Sequence, residues 1–188
     1  EKIKIDANAF VYPMPMTIVG AVVDGRPNFL AAAWVTRANF KPPMIMVALG
    51  DHHTNRGIEA YGAFSVNVPD VALLEKTDYV GIVSGRKVDK STLFDVFYGS
   101  LSGAPLVREC PLVMACRLTQ SVKLPADTLY IGDIVEAYSE ERFLTDGKPD
   151  VEKMDPFVLT MPDNGYWRVG ERVGRAWSDG KRLKKGSA

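Results

Sequence analysis

Cysteine, histidine and long apolar runs are all scarce in this chain, and each shortage excludes a class of protein. Cys110 and Cys116 are the only cysteines, too few for a disulfide scaffold. Their spacing matches neither a Cys-x-x-Cys redox pair nor a zinc set. With His52 and His53 as the only histidines, a metal site lacks partners, and none is expected. Both cysteines read as small strand or core residues, and their even separation places them on one side of a strand. No apolar run approaches the roughly 18–20 residues that cross a bilayer, so no membrane contact is expected. Glu1–Asp6 has no apolar core of a secretory signal, so the expected location is cytoplasmic.

Chemistry-bearing motifs are missing too. There is no Gly-x-Gly-x-x-Gly turn after a strand, no Gly-x-x-x-x-Gly-Lys phosphate loop and no Gly-x-Ser-x-Gly elbow. Ser84-Gly85-Arg86-Lys87 is basic and glycine-bearing but lacks the leading glycine of a phosphate loop. No pair of carboxylates stands out as a hydrolase dyad. Nor is charge of either sign in excess: 23 Lys and Arg balance 23 Asp and Glu, which argues against nucleic acid as a partner. The balance breaks only in the basic C-terminal tail, about 172–188, where six basic residues face one acid for a net +5. That tail reads first as a solvated terminus and second as a binding arm.

What is present is a chain of 188 residues, 46% hydrophobic and 24% charged, which fits one globular domain over 1–188. The pattern is mostly β. Met16–Val23 reads as a strand, Asp24-Gly25-Arg26-Pro27 as a turn, and Asn28–Val35 as a second strand. Met44–Leu49 has the length and apolar continuity of a buried strand. Thr54 is placed to cap a short helix running through Ala60 and stopped by Gly62. Ala63–Val68 alternates as a strand, and Asp70 caps a second helix from Val71 to about Val80. The stretch from Gly81 to Glu109 reads as irregular, holds Gly81, Gly85, Gly99 and Gly103, and is expected to do more than link. Strands resume at Leu112–Leu118 and Tyr130–Tyr138, Thr145–Lys148 makes a hairpin turn, and Phe157–Met161 is a last strand. Short strands with turn signals and two short helices predict a mainly β fold, a barrel with helical covers.

Two segments carry candidate site residues. In Asn28–Pro43, three successive alanines keep bulk low while Trp34, Val35, Thr36 and Asn39 offer an aromatic plane, an apolar wall and hydrogen-bonding groups. A flat heteroaromatic ligand suits that mix; a strand with Trp34 in the core and a polar exit loop suits it equally. Further on, His52-His53-Thr54-Asn55-Arg56 opens the first helix. Unpaired N–H groups and the positive helix end favour a phosphate there, although an ordinary capped turn has the same composition. Together, a ring slot and a phosphate cap describe one mononucleotide.

Tyr12-Pro13-Met14-Pro15, the Asn28–Pro43 segment, Thr54 with Ile58 and Phe64–Val68 resemble the flavin reductase-like, FMN-binding split-barrel family. Lys76–Lys90 and Tyr130–Val135 continue the likeness, which spans about 10–178 and is nearest to the flavoredoxin branch. The resemblance implies a six-stranded Greek-key split barrel, a homodimer and one FMN per protomer near the subunit interface. It implies that Asn28, Trp34 and Thr36 hold the ring side, and that Thr54, Asn55 and the His52–His53 turn hold the phosphate. Lys90 takes the family's basic position, where a fixed ammonium favours negative charge on the reduced ring; a solvated lysine in a charged loop is the plain alternative.

One departure stands out. Many relatives carry a histidine just before the Thr-Leu-aromatic strand, and Asp127 stands there in this chain. A carboxylate accepts hydrogen bonds only and is negative, which disfavours an approaching NAD(P)H phosphate. Three roles follow. The first is an FMN oxidoreductase passing electrons from NAD(P)H to a flavin, ferric or protein acceptor. The second is a non-enzymatic FMN carrier between protein partners, and the third a flavin-free barrel that serves as an interaction module.

Overall fold

The computed structural model describes residues 1–186, with side chains for all of these except 182 and 184–186. In chain order the strands begin with β1 (Met14–Pro15), β2 (Thr17–Val23), β3 (Arg26–Ala32), β4 (Val35–Asn39) and β5 (Met44–Leu49). Then come α1 (His53–Tyr61), β6 (Ala63–Val68) and α2 (Leu74–Ile82), followed by two-residue strands β7 (Val96–Phe97) and β8 (Leu106–Val107). The long pair β9 (Leu112–Lys123) and β10 (Thr128–Ser139) precedes β11 (Leu144–Thr145), β12 (Lys148–Pro149), α3 (Val151–Met154), β13 (Phe157–Thr160) and β14 (Gly165–Arg168).

Seven strands form one antiparallel sheet in the order β3-β2-β6-β9-β10-β5-β4. Leu30 of β3 shares a buried cluster with Ile45, Val47 and Leu49 of β5, so strands from opposite ends of that order meet and the sheet curls into a barrel. Val19, Ala21, Phe64, Val66, Cys116 and Tyr130 complete this interior, and Ile58 of α1 plugs one side. A second cluster lies on the outer face of the same strands: Ile18, Phe29 and Val113 pack under Leu73, Val80, Phe94, Leu106 and Val107. Every residue of β2 is therefore buried, and its uninterrupted Thr-Ile-Val-Gly-Ala-Val-Val run is what two covered faces require. The architecture is the mainly β split barrel with short covering helices that the sequence predicts.

Local chemistry sets the connections. Asp24 and Gly25 both have positive φ, as do Asp146 and Gly147, which gives the hairpin turns whose twist suits antiparallel strands. Gly62 ends α1 in the left-handed region at φ 59°, as expected of a C-terminal glycine. Gly57 lets α1 lie on β2, because a Cβ there would run into the Val22 carbonyl. Asp70 accepts from the Leu73 N–H at the start of a 3-10 turn that leads into α2.

Several expectations change. Asn28–Val35 is not one strand: β3 ends at Ala32, the chain turns through Ala33 and Trp34, and Val35 opens β4. At that corner the Trp34 carbonyl accepts from the Ala48 N–H of β5 at 2.9 Å, which starts the pairing that β4 continues. His52, not Thr54, is the N-cap of α1, and its side chain makes no capping bond. The helix expected to end near Val80 runs to Ile82, and the irregular stretch contains the paired β7 and β8. The strand β9 runs five residues past its expected end at Leu118, β10 begins two residues before and ends one residue after the expected Tyr130–Tyr138, and their pairing carries two register shifts; β14 carries no signal that distinguished it from a loop. Cys110 lies in a turn before β9, and the two thiols are buried in different clusters; burial pushes both well above their ordinary pKa, Cys116 to about 12. The tail reading over 172–188 extends to residues 187–188, which lie outside the described residues.

Behind β6 a buried polar network ties the covering loop to the sheet. Asn67 donates to the Ile18 carbonyl at 2.9 Å and its Oδ1 accepts from the Val107 N–H at 2.9 Å. Ser65 donates to the Pro105 carbonyl. Replacing Asn67 by Ala leaves the buried Val107 N–H without its acceptor. We expect Asn67→Ala to lower the unfolding free energy in urea by about 2 kcal/mol, with the barrel's far-UV spectrum retained.

Candidate functional site

The strand β3 lies at one edge of the sheet, so its outward backbone groups have no strand partner. Lys90 fills that role. Its side chain is only 4% exposed, and Nζ donates to the Phe29 carbonyl of β3 at 2.9 Å and to the Val80 carbonyl of α2 at 2.8 Å. The solvated-lysine alternative is thereby excluded. Burial lowers the ammonium to about 8, while the two carbonyls hold the charged form.

Around this ammonium the 83–90 loop stands away from the barrel and leaves a continuous cleft. One part, about 460 Å³, lies between the β2–β3 hairpin and Gly85–Lys90; a deeper part of about 160 Å³ lies between Ala31, the His52–Thr54 turn and Val80–Gly85. Asn28 borders both. It is buried, and its Nδ2 donates to Thr54 Oγ1 at 2.7 Å, leaving the Thr54 hydroxyl proton for another acceptor. Gly85 sits against Asn28 so closely that a Cβ would collide with its Oδ1. Thr54 occupies the second position of α1 rather than the cap, which still sets it among the unpaired N–H groups of the first turn.

The electrostatics favour an anion. Arg26 is paired with Asp89 at 3.0 Å, Arg86 with Asp51 at 2.9 Å and Arg56 with Asp24 at 3.3 Å. Among the described residues no carboxylate pairs with Lys87 or Lys90, so the cleft retains positive charge. Burial, then Lys90, lowers the His52 pKa; burial, then Arg56, lowers that of His53. Both rings are thus mainly neutral near pH 7. Two buried polar atoms at this turn have no partner: His53 Nδ1 and Asn55 Oδ1. Asn55 Nδ2 is already committed to the Gly50 carbonyl at 2.8 Å.

The predicted residues divide into three groups. Asn28, His52, His53, Thr54 and Lys90 converge on the cleft. Asn55 and Asp127 face a separate 370 Å³ hollow on the other flank of the same turn, and His52 borders both spaces. The third group, Trp34, Val35, Thr36 and Asn39, lies at the β3–β4 corner and along edge strand β4. Trp34 is 43% exposed, so it is not a core residue, and its ring meets Phe10 at 6.3 Å. Asn39 spends its amide on the Pro42 carbonyl at 2.9 Å. Within one protomer these four do not line the Lys90 cleft. Sequence reasoning missed Gly85, Arg86 and Lys87 as cleft residues; their glycine and basic charge were the signal, set aside for lacking phosphate-loop spacing. No group of three or more metal-ligating side chains occurs among the described residues.

The Lys90 ammonium has a measurable signature. Its folded pKa of about 8 lies below the unfolded 10.5, so between those pH values the unfolded chain binds a proton that the folded one has released. Stability therefore rises with pH across that window. We expect the difference in unfolding free energy between wild type and Lys90→Gln to grow as pH goes from 8 to 10.5, read by urea titration of the flavin-free protein. A difference independent of pH would contradict the burial of this charge.

Comparison with known proteins identifies the fold and the family. The flavin reductase-like domain model matches residues 9–150. A flavoredoxin from Methanosarcina acetivorans is 52% identical, with a TM-score of 0.96 over 97% of this chain and 99% of that one. The flavoredoxin of Desulfovibrio vulgaris is 34% identical, with a TM-score of 0.89 over 96% and 100%. An FMN-binding protein from Thermus thermophilus shares the fold at 22% identity, with a TM-score of 0.79 over 93% and 97%. With three quarters of its length matched by the domain model and the same barrel throughout, the chain belongs to the flavin reductase-like domain family.

Proposed function

We propose that this protein is an FMN-dependent electron-transfer oxidoreductase of the flavoredoxin type and that it works as a homodimer. The observation that carries the reading is the cleft itself: an opening edged by unpaired positive charge, a free hydroxyl proton on Thr54 and an unpartnered His53 Nδ1 at the first turn of a helix. Those groups fit a phosphomonoester. Membership in a family with solved flavoredoxin relatives supports the cofactor assignment.

When bound, FMN would supply hydride acceptance and one-electron transfer, chemistry that no side chain here provides. The chain's own residues bind and orient. Thr54 would hold the phosphate through its free hydroxyl proton, with Asn28 fixing the hydroxyl through its Nδ2. His53, neutral near pH 7, has a ring nitrogen to offer the phosphate. Asn28 and Gly85 keep the cleft wall thin, and Lys90 places a fixed positive charge beside the bound group. Trp34, Val35, Thr36 and Asn39 are the residues we assign to the ring side, at the β3–β4 corner and along β4. The electron donor is NAD(P)H or a reduced protein, and the acceptor a flavin, ferric or protein partner.

Asp127 favours the protein-donor variant of this reading. It stands beside His52: a Cβ on Gly50 would lie 3.7 Å from His52 Nε2 and 3.8 Å from Asp127 Oδ1. A negative carboxylate at that hollow repels a dinucleotide's phosphates.

Two outcomes are expected. Thr54→Val should raise the FMN dissociation constant about tenfold, the loss of one good hydrogen bond, measured by fluorescence quenching; unchanged affinity would remove the phosphate assignment. In anaerobic stopped-flow spectra, Asp127→His should bleach the flavin band faster with NADPH and NADH than wild type does. Equal rates would show that the carboxylate does not govern donor choice.

A further inference from the structure

The chain leaves the body at Arg168, and the segment beyond it is bare. Val169, Val173 and Trp177 are 47%, 101% and 94% exposed. Within it Arg172 donates to the Gly174 carbonyl, the Arg175 N–H to the Asp179 carboxylate, and the Ser178 and Asp179 N–H groups to the Arg175 carbonyl. The two valines and the tryptophan are apolar side chains that the protomer itself leaves exposed.

Charge points to the occupant. Residues 172–188 carry +5 while the whole chain is neutral, so 1–171 carry −5 by difference. Much of that negative charge is concentrated: residues 136–155 hold seven acids and three bases, a net −4. Beside this acidic stretch lies a groove of about 450 Å³, lined by Phe97, Val107, Cys110, Val113 and Tyr138, with Arg108 and Glu140 as its charged members. Phe97 and Tyr138 meet edge-on at 5.5 Å and 78°, and the Arg108 guanidinium lies 4.9 Å from the Phe97 ring centre with its charge already paired to Asp95 at 3.0 Å. The protomer's own Trp177 does not enter it.

We propose that this segment is an exchanged arm: Trp177 of one protomer seats in the Phe97–Tyr138 groove of a second copy, and Arg172, Arg175 and Lys181 face its acidic 136–155 stretch. The proposal rests on the homodimer reading above and names the contact that makes the dimer. Two-fold symmetry repeats the contact, giving a self-complementary interface. An aromatic anchor in an apolar pocket with a charged rim is the arrangement that concentrates binding energy, and the rim makes association sensitive to salt.

The test is sedimentation of the full-length FMN-loaded protein over a concentration series. We expect a wild-type dimer whose dissociation constant rises at least tenfold in Trp177→Ser and again in 0.5 M over 0.05 M salt (roughly a threefold change in Debye length). The groove-side double variant Glu140→Lys with Glu141→Lys should weaken the dimer comparably. Trp177 is exposed in the protomer, so Trp177→Ser should keep the wild-type far-UV spectrum. A monomeric wild type overturns both the arm and the homodimer. A wild-type dimer unaffected by Trp177→Ser overturns the arm and leaves the homodimer standing. Weakening by Trp177→Ser with no response to the Glu140 and Glu141 changes overturns the groove as its seat.

Discussion

The open edge of β3 governs this molecule. A sheet of seven strands closes through the shared cluster of Leu30 with Ile45, Val47 and Leu49, yet β3 and β4 remain edges in its strand order. Edge backbone groups must find partners. At Phe29 the partner is a lysine ammonium carried in by the 83–90 loop, which the same ammonium ties to the end of α2. Covering an edge with a loop rather than a strand leaves space beside it, and that space is the cleft.

The same edge explains why the site is polar inside a largely apolar barrel. Facing β2 and β6, the outer surface is sealed by Leu73, Val80, Phe94 and Leu106, with Ser65 and Asn67 satisfying the loop's backbone. Near β3 the sealing residues give way to Asn28, Thr54 and Lys90, all buried and hydrogen-bonded. Burying a lysine is costly unless its donors are used. Two of the three are, and the charge they hold is directed at the cleft rather than dissipated in solvent. Fold stability and anion preference thus share one side chain.

Much of the architecture was readable beforehand because its signals are local. Asp-Gly pairs announced the hairpins, Gly62 the end of α1, and continuous apolar runs the doubly covered strands. The misreadings also have local causes. The Ala33–Trp34 corner contains neither glycine nor proline, so Asn28–Val35 looked unbroken. Thr54 has the side chain of a cap, but the helix is capped two residues earlier, at His52, and the Thr54 hydroxyl meets Asn28 instead. The far end of β9, Thr119–Lys123, is largely polar, and polar extended chain looks like loop until its partner strand is known.

Sequence by itself determined the barrel class and the family, since these depend on periodicity, turn chemistry and motif order along the chain. Tertiary structure alone decided which of the candidate site residues meet. Lys90 is sixty-one residues from Phe29, and nothing local marks it as buried rather than solvated. Only the closure of the sheet brings it to the β3 edge beside Thr54, sends Asp127 to the far side of the His52 turn and leaves Trp34 exposed at the corner before β4. Long-range packing made those choices because each depends on which surfaces the barrel has already covered.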